Sequence, residues 1–264
     1  MTQILIPALI FAGLGIFAGL LLSIFSKVFA VKVDERVEKI RDALPGANCG
    51  ACGFSGCDGY AARLVEDDSV KTNLCLPGGA EAAKVISEVL GKNFEAVEPM
   101  VAEVYCKGTS ETTGDIFEYD GIYSCSACNL YYSGKGKCNY GCLGFGDCQK
   151  VCQYGAISIV DGRAHVNEEL CVGCGMCAGV CPKGIIGVHK KAQKVVVKCF
   201  NCDLGKYTRS ACSAGCIGCK KCEKTCRYDA IHVERNKARI DYDKCTNCGE
   251  CAAACPVQCI LVKE

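Results

Sequence analysis

The cysteine residues of this chain fall into short runs with fixed spacing, and this pattern constrains the fold more than any other feature. The sequence has 27 cysteines among 264 residues. Most of them are separated from the next cysteine by two or three residues, in segments such as CIGCKKCEKTC. Such a grouping is too dense for packed thiols alone and is typical of iron-sulfur ligation. We therefore expect several small modules, each built around an inorganic cluster.

The first 32 residues are expected to form a membrane anchor. No charged residue lies between Ile4 and Ser26, and a helix of that length can cross a hydrocarbon layer of roughly 30 Å. Lys27 and Lys32 follow the apolar run, so the positive-inside rule predicts a single-pass protein of the cell membrane with the rest of the chain in the cytoplasm. A cleaved signal peptide is the alternative, but the first three residues carry no basic side chain.

The predicted fold class is α+β, with small cysteine-rich modules following the transmembrane helix. Amphipathic patterns predict helices over residues 33–44 and 80–90, and apolar stretches predict strands at 101–105 and 116–119. The domain limits we expect are 1–32 for the anchor, 33–92 for a four-cysteine domain, 93–137 for a linker, 138–198 for a first ferredoxin-like module and 199–264 for a second. The two modules align with one another and form an internal repeat.

The second module has the regular spacing of a two-cluster bacterial ferredoxin. A [4Fe-4S] cube needs four thiolates around one small volume, and in this pattern the last cysteine of each run binds the other cluster. Pro256 follows Cys255 as the pattern requires, although Arg227 follows Cys226. The expected ligand sets are Cys216, Cys219, Cys222 with Cys255, and Cys245, Cys248, Cys251 with Cys226.

The first module departs from this spacing. Three residues separate Cys138 from Cys142, and five separate Cys142 from Cys148. The longer loop could still close on a cube, and a missing or different cluster is the alternative. The expected sets are Cys171, Cys174, Cys177 with Cys152, and Cys138, Cys142, Cys148 with Cys181.

A further quartet lies upstream, within the segment PGANCGACGFSGC and the CLPGG that follows it. Its members are Cys49, Cys52, Cys57 and Cys75. Four thiolates could also hold a tetrahedral zinc ion, but zinc sites of this kind are usually two CxxC pairs separated by a longer loop. We expect an iron-sulfur cluster here, and about five [4Fe-4S] clusters in the chain.

Seven cysteines remain outside these sets. They are Cys106, Cys125, Cys128, Cys199, Cys202, Cys212 and Cys259. Two CxxC pairs among them could hold a further metal site, with Cys106 or Cys212 replacing one member. Buried thiols without metal are the alternative, since free cysteine packs as a small hydrophobic residue.

Charge is divided along the chain. Residues 33–120 contain 17 acidic and 8 basic residues, whereas residues 183–227 contain 11 basic and 2 acidic residues. A basic surface would attract a negatively charged redox partner, although it could also offset the negative charge of the clusters. The sequence has no P-loop, nucleophile elbow or zinc-protease helix, and GCLGFG at residues 141–146 resembles a dinucleotide fingerprint only superficially. We therefore expect no catalytic residue, no flavin or NAD site and no nucleic-acid partner.

The order of these parts resembles the B subunit of the Rnf complex, a membrane-bound ferredoxin:NAD⁺ oxidoreductase that pumps Na⁺ or H⁺. The resemblance is carried by one apolar helix, the PGANCGACGFSGC segment and the GCLGFGDC segment. It implies a subunit that accepts electrons from a soluble low-potential ferredoxin and passes them to other membrane subunits. It also implies that nicotinamide and flavin sites lie on those other subunits.

Two other functions are compatible with the cysteine pattern. One is an electron-transfer subunit of a different membrane system, such as one that reduces nitrogenase donors or a redox regulator. The other is a zinc-bound scaffold without redox chemistry.

Overall fold

The computed structural model describes residues 2–28 and 34–263, with side chains for 11–26 and 34–263. The first element, α1 (Thr2–Val28), corresponds to the predicted anchor. Among the residues described with their side chains, no helix is long and apolar enough to cross a membrane. Lys32, used in the orientation argument, lies outside the described residues. The anchor therefore stays a prediction.

Three helices form a small domain after this segment: α2 (Glu35–Ala43), α3 (Cys57–Glu66) and α4 (Gly79–Leu90). The side chains of Ile40, Tyr60, Leu64 and Ile86 are completely buried between them. The helix α4 ends at Gly91, whose φ of 65° lies in the left-handed region that favours glycine. Both helices predicted from amphipathic patterns are thus confirmed, with shifts of one or two residues at their ends.

The first ferredoxin-like module has four short strands and three short helices. In chain order they are β1 (Met100–Val104), α5 (Cys125–Asn129), α6 (Asp147–Lys150), β2 (Ile157–Val160), β3 (Arg163–Val166), α7 (Met176–Val180) and β4 (Ile186–Lys190). The strand β1 pairs antiparallel with β4, and β2 pairs antiparallel with β3. Such two-stranded ladders are marginal alone, so the buried side chains between them must supply most of the stability.

The second module repeats this arrangement. Its elements are β5 (Val195–Val197), α8 (Gly205–Ala211), α9 (Lys221–Thr225), β6 (Ile231–Glu234), β7 (Lys237–Ile240), α10 (Glu250–Ala253) and β8 (Ile260–Val262). The strand β5 pairs antiparallel with β8, and β6 pairs antiparallel with β7. Each module therefore closes by pairing its first strand with its last.

Strand pairing differs from the expected limits at both ends of the first module. The strand β1 falls in the predicted linker, yet it pairs with β4. The strand β5 falls inside the predicted first module, yet it pairs with β8 of the second. The prediction of a strand at Ile116–Tyr119 is wrong, because these residues form bends and irregular backbone.

The two modules contact each other through residues that follow β1 and β5. Isolated antiparallel bridges join Cys106 to Cys199 and Thr113 to Cys212. Thr113 Oγ1 also donates a hydrogen bond of 2.8 Å to the carbonyl oxygen of Ala211. The segment that we expected to be a linker thus forms the junction between the modules.

Candidate iron-sulfur cluster sites

Each of two cavities in the second module is lined by a quartet of thiols that the spacing predicts, and Cys259 also lines the cavity that contains Cys255. The sets are Cys216, Cys219, Cys222 with Cys255, and Cys226 with Cys245, Cys248, Cys251. The helices α9 and α10 each begin one residue before a cysteine of these sets, Cys222 and Cys251 respectively. The Ala230 N–H donates to Cys226 Sγ at 3.4 Å. The structure therefore brings both predicted quartets together.

One cavity of the first module contains a thiol that we did not predict. It is lined by Cys125, Cys142, Cys148 and Cys181. Burial, with a smaller contribution from the thiols of Cys142, Cys125 and Cys181, raises the pKa of Cys148 to about 12. Cys138 lines a different cavity, at the module junction. Of the expected set, the structure brings Cys142, Cys148 and Cys181 together and places Cys138 at the other cavity.

A capping interaction places Cys125 beside Cys148. Ser124 Oγ donates to Asp147 Oδ2 at 2.8 Å, and the Ser126 N–H donates to the same oxygen at 3.0 Å. Asp147 begins the helix that carries Cys148. The carboxylate therefore holds the start of α5 against the start of α6.

The other predicted set of this module is also brought together. Burial raises the pKa of Cys177 to about 11, and the nearby thiols of Cys171, Cys174 and Cys152 contribute to the rise. The Ala102 N–H, in β1, donates to Cys171 Sγ at 3.3 Å. The strand β1, which lies in the predicted linker, thus donates a hydrogen bond to a thiol of this site.

The upstream quartet lies at one edge of the helical domain. Burial raises the pKa of the Cys75 thiol, and the thiols of Cys57, Cys52 and Cys49 raise it further. The Asn48 side chain accepts the Cys57 N–H at 2.8 Å. A Cβ on Gly78 would lie 3.1 Å from Cys75 Sγ and 2.6 Å from the Cβ of Ala82. Because a side chain at position 78 would collide with these atoms, the residue that follows CLP is glycine.

A longer repeat connects the cysteines that sequence reasoning left unassigned. Both modules contain C-x2-C-x9-C-x3-C, starting at Cys125 in the first and at Cys199 in the second. Phe145 takes the position that Cys219 has in the second module. This repeat places Cys138 opposite Cys212, which lies outside the predicted quartets, and it is the sequence signal that could have indicated Cys125 as the fourth thiol.

Three of the other thiols pack without a quartet of their own. Cys128 is completely buried against Leu143 and Phe145. Cys259 Sγ lies 3.6 Å from Cys255 Sγ. Cys202 Sγ lies 3.6 Å from the carbonyl oxygen of Phe200.

The donor sets fit iron-sulfur cubes. Each has four thiols around one site, and backbone N–H groups point at the sulfurs, as at Cys142 Sγ, which accepts from the Ala164 N–H at 3.4 Å. Such hydrogen bonds stabilise a thiolate and tune a bound cluster. Among the described residues, no three Cys, His, Asp or Glu side chains converge closely enough for a single metal ion.

Two ferredoxin-type modules and a separate four-thiol domain define a multi-cluster iron-sulfur electron-transfer protein. Known families match three parts of the chain: a "putative Fe-S cluster" family at residues 44–77, a "4Fe-4S binding domain" at 164–187 and a "4Fe-4S dicluster domain" at 215–259. These matches support the iron-sulfur interpretation over a zinc scaffold.

The chain is also similar to characterised relatives over nearly its whole length. It is 45% identical to the B subunit of the Na⁺-translocating ferredoxin:NAD⁺ oxidoreductase complex of Acetobacterium woodii, covering 98% of this chain and 78% of the relative. It is 40% identical to the B subunit of the ion-translocating oxidoreductase complex of Methanosarcina acetivorans, covering 100% of both. With the B subunit of the proton-translocating ferredoxin:NAD⁺ oxidoreductase complex of Clostridium ljungdahlii it shares 41% identity, covering 98% of this chain and 93% of the relative.

The chain therefore belongs to the B-subunit family of ion-translocating ferredoxin:NAD⁺ oxidoreductases, the Rnf complexes. It is an iron-sulfur electron-transfer subunit of such a complex.

Proposed function

We propose that this subunit accepts electrons from a reduced soluble ferredoxin and passes them into the membrane part of an Rnf-type complex. Ferredoxin is named with the relatives from Acetobacterium woodii and Clostridium ljungdahlii. In this proposal α1 is a single-pass anchor to the cell membrane and the rest of the chain is cytoplasmic. The uncharged run from Ile4 to Ser26 and the exposed side chains of Phe11 and Leu22 support the anchor.

Five [4Fe-4S] clusters are assigned to five thiol sets. Four sets are those of the two ferredoxin-like modules, with Cys125 in place of Cys138, and the fifth is the set that contains Cys49. When bound, each cube supplies a one-electron redox couple whose potential depends on burial, charge and hydrogen bonds to sulfur. The chain's own residues hold the cubes, exclude water from them and direct N–H groups at their ligands.

The order of the sites supports an exit at the helical domain. The Cys174 thiol, in the first module, interacts electrostatically with the Cys49 thiol of the helical domain. The phenol of Tyr154 is near both sets, since burial and the thiols of Cys174 and Cys49 raise its pKa. Because the helical domain follows α1 directly, the Cys49 site lies closest in sequence to the proposed anchor.

The basic second module is the proposed entry. Cys219 and Cys248 are the exposed thiols among the described sets. Lys220, Lys221 and Lys224 are also exposed and lie within a few residues of Cys219. A positively charged surface next to an exposed cluster edge would steer an acidic electron donor to a productive contact.

The observation that carries this proposal is the gathering of thiol quartets in both ferredoxin-like modules and in the helical domain. Replacing Cys57 with alanine should abolish ferredoxin-dependent NAD⁺ reduction by the assembled complex, because the Cys49 set loses a ligand. The ferredoxin-like modules should still be reduced by ferredoxin, as followed by their visible absorbance.

The matched control is Cys128→Ala, which removes a buried thiol outside the sets. This variant should retain ferredoxin-dependent turnover. Unchanged NAD⁺ reduction in Cys57→Ala would remove the Cys49 set from the electron path and overturn the proposed exit.

A further inference from the structure

A cavity of about 530 Å³ lies at the junction of the two ferredoxin-like modules. Four cysteines that line it lie outside the five assigned thiol sets. They are Cys106 and Cys138 from the first module, and Cys199 and Cys212 from the second. We propose that these four thiols bind an additional cubane iron-sulfur cluster. The cavity is ample for eight inorganic atoms, since one water in the liquid takes roughly 30 Å³.

The backbone brings three of the thiols, Cys106, Cys199 and Cys212, together. Cys106 and Cys199 follow the first strand of each module and face each other across an antiparallel bridge. Cys212 pairs with Thr113 in a second bridge. A Cβ placed on Gly108 would lie 3.5 Å from Cys106 Sγ and 3.8 Å from Cys212 Sγ, so both sulfurs border one small volume.

Cys138 is fixed to the other module by a buried side chain. Asn201 is 1% exposed, and its Nδ2 lies 3.4 Å from Cys138 Sγ. Its Oδ1 accepts the Asp203 N–H at 2.6 Å, which fixes the orientation of the amide. An amide N–H directed at sulfur is the kind of contact that ligand thiolates receive.

Two of the four thiols, Cys138 and Cys212, occupy equivalent positions of the repeat. Cys138 and Cys212 each occur in a C-x-x-G-C segment, at Cys138–Cys142 and Cys212–Cys216. In both segments the glycine N–H donates to the carbonyl oxygen of the first cysteine, at 3.0 Å for Gly141 and 3.2 Å for Gly215. With Cys106 and Cys199, the site has two thiols from each module.

The position of the site is between the clusters of the two modules. Cys106 Sγ accepts the N–H of Cys142 at 3.5 Å, and Cys199 Sγ accepts the N–H of Cys216 at 3.1 Å. Cys142 and Cys216 belong to the flanking sets. One electron would enter the site as the cluster at Cys216 is oxidised and leave as the cluster at Cys142 is reduced. This role in transfer rests on the proposed function.

Native mass spectrometry of the full-length, oxygen-protected chain tests the inference without any variant. We expect the mass of one cube more than the five assigned sets. A mass corresponding to five cubes, or to five cubes and one zinc ion, would overturn the additional cluster while leaving the proposed function intact. Loss of cubes from the five sets would contradict the proposed function itself.

The ligands are tested by Cys212→Ser, with Cys202→Ser as a matched control from the same C-x9-C segment. Cys212→Ser should lose about four iron atoms and four sulfide ions per chain, and Cys202→Ser none. Equal iron in Cys212→Ser and the unmodified chain would exclude this ligand set. Because a folding defect would remove more than one cube, Cys106→Ser serves as a second variant and must show the same loss of a single cube.

Discussion

At the scale of single residues, spacing predicts ligands well where the repeat is regular. In the second module each of the two quartets expected from the two, two and three residue spacers lines a cavity of its own, although Cys259, which the spacers do not predict, lines one of these cavities as well. In the first module, Phe145 stands where the second module has the ligand Cys219. The thiol that completes the set, Cys125, is distant in sequence. Cys125 reaches the cavity through the capping contact between Ser124 and Asp147, which no local pattern indicates.

Exchange of Cys125 for serine should remove about four iron atoms per chain, because the cube at Cys148 loses a ligand. Cys128→Ser, three residues away, should keep its iron, since that thiol packs against Leu143 and Phe145. Anaerobic iron and sulfide analysis of both variants makes the comparison. Iron loss from the Cys128 variant alone would reverse the assignment.

At the scale of secondary structure, amphipathic patterns predicted the helices of the small domain because apolar residues recur on one face. The strand predicted at 101–105 is confirmed as β1, but its pairing was harder to predict from sequence. The register of β1 with β4 joins Val101 to His189, and nothing near Val101 in sequence specifies that partner. For this reason the segment after residue 93 was predicted to be a linker.

The helix α9 provides a test of donor docking. Replacing Lys221 and Lys224 by glutamate should slow reduction by ferredoxin on the order of tenfold at low ionic strength, because steering is lost. The rate should also depend less on salt than in the unmodified chain. Stopped-flow absorbance measures both effects.

The matched control replaces Lys71 and Lys84, two exposed lysines of the acidic helical domain, by glutamate. This variant should be reduced at the rate of the unmodified chain. If both double variants were slowed equally, donor attraction would reflect net charge and not a site at α9.

At the scale of the whole molecule, a buried charge cluster holds the two modules together. Glu103 of β1 is 4% exposed and forms ion pairs with Lys198 and Lys263, and its carboxylate lies 3.9 Å from His189 Nε2. Burial alone would raise the pKa of Glu103, but His189 and the two lysines outweigh it and lower the pKa to about 2. These contacts join residues far apart in sequence, so composition gave no indication of them.

Glu103→Gln should lower the free energy of unfolding by about 3 to 5 kcal/mol, because it leaves Lys198 without a counter-charge and Lys263 with Glu168 alone. Glu98→Gln, which breaks an exposed pair with Lys190, should cost less than about 1 kcal/mol. Since the pKa of Glu103 is lower in the folded state, its contribution is complete above about pH 5 and is lost as the pH falls toward 2. Anaerobic denaturant titration compares the variants, and equal stabilities would contradict a structural role for this cluster.

Acid-labile sulfide in the purified, oxygen-protected chain shows whether the thiol sets hold iron-sulfur cubes. We expect iron and sulfide in equal amounts, about 20 or more of each per chain, with brown colour that bleaches on reduction by dithionite. A colourless protein with zinc and no sulfide would contradict it.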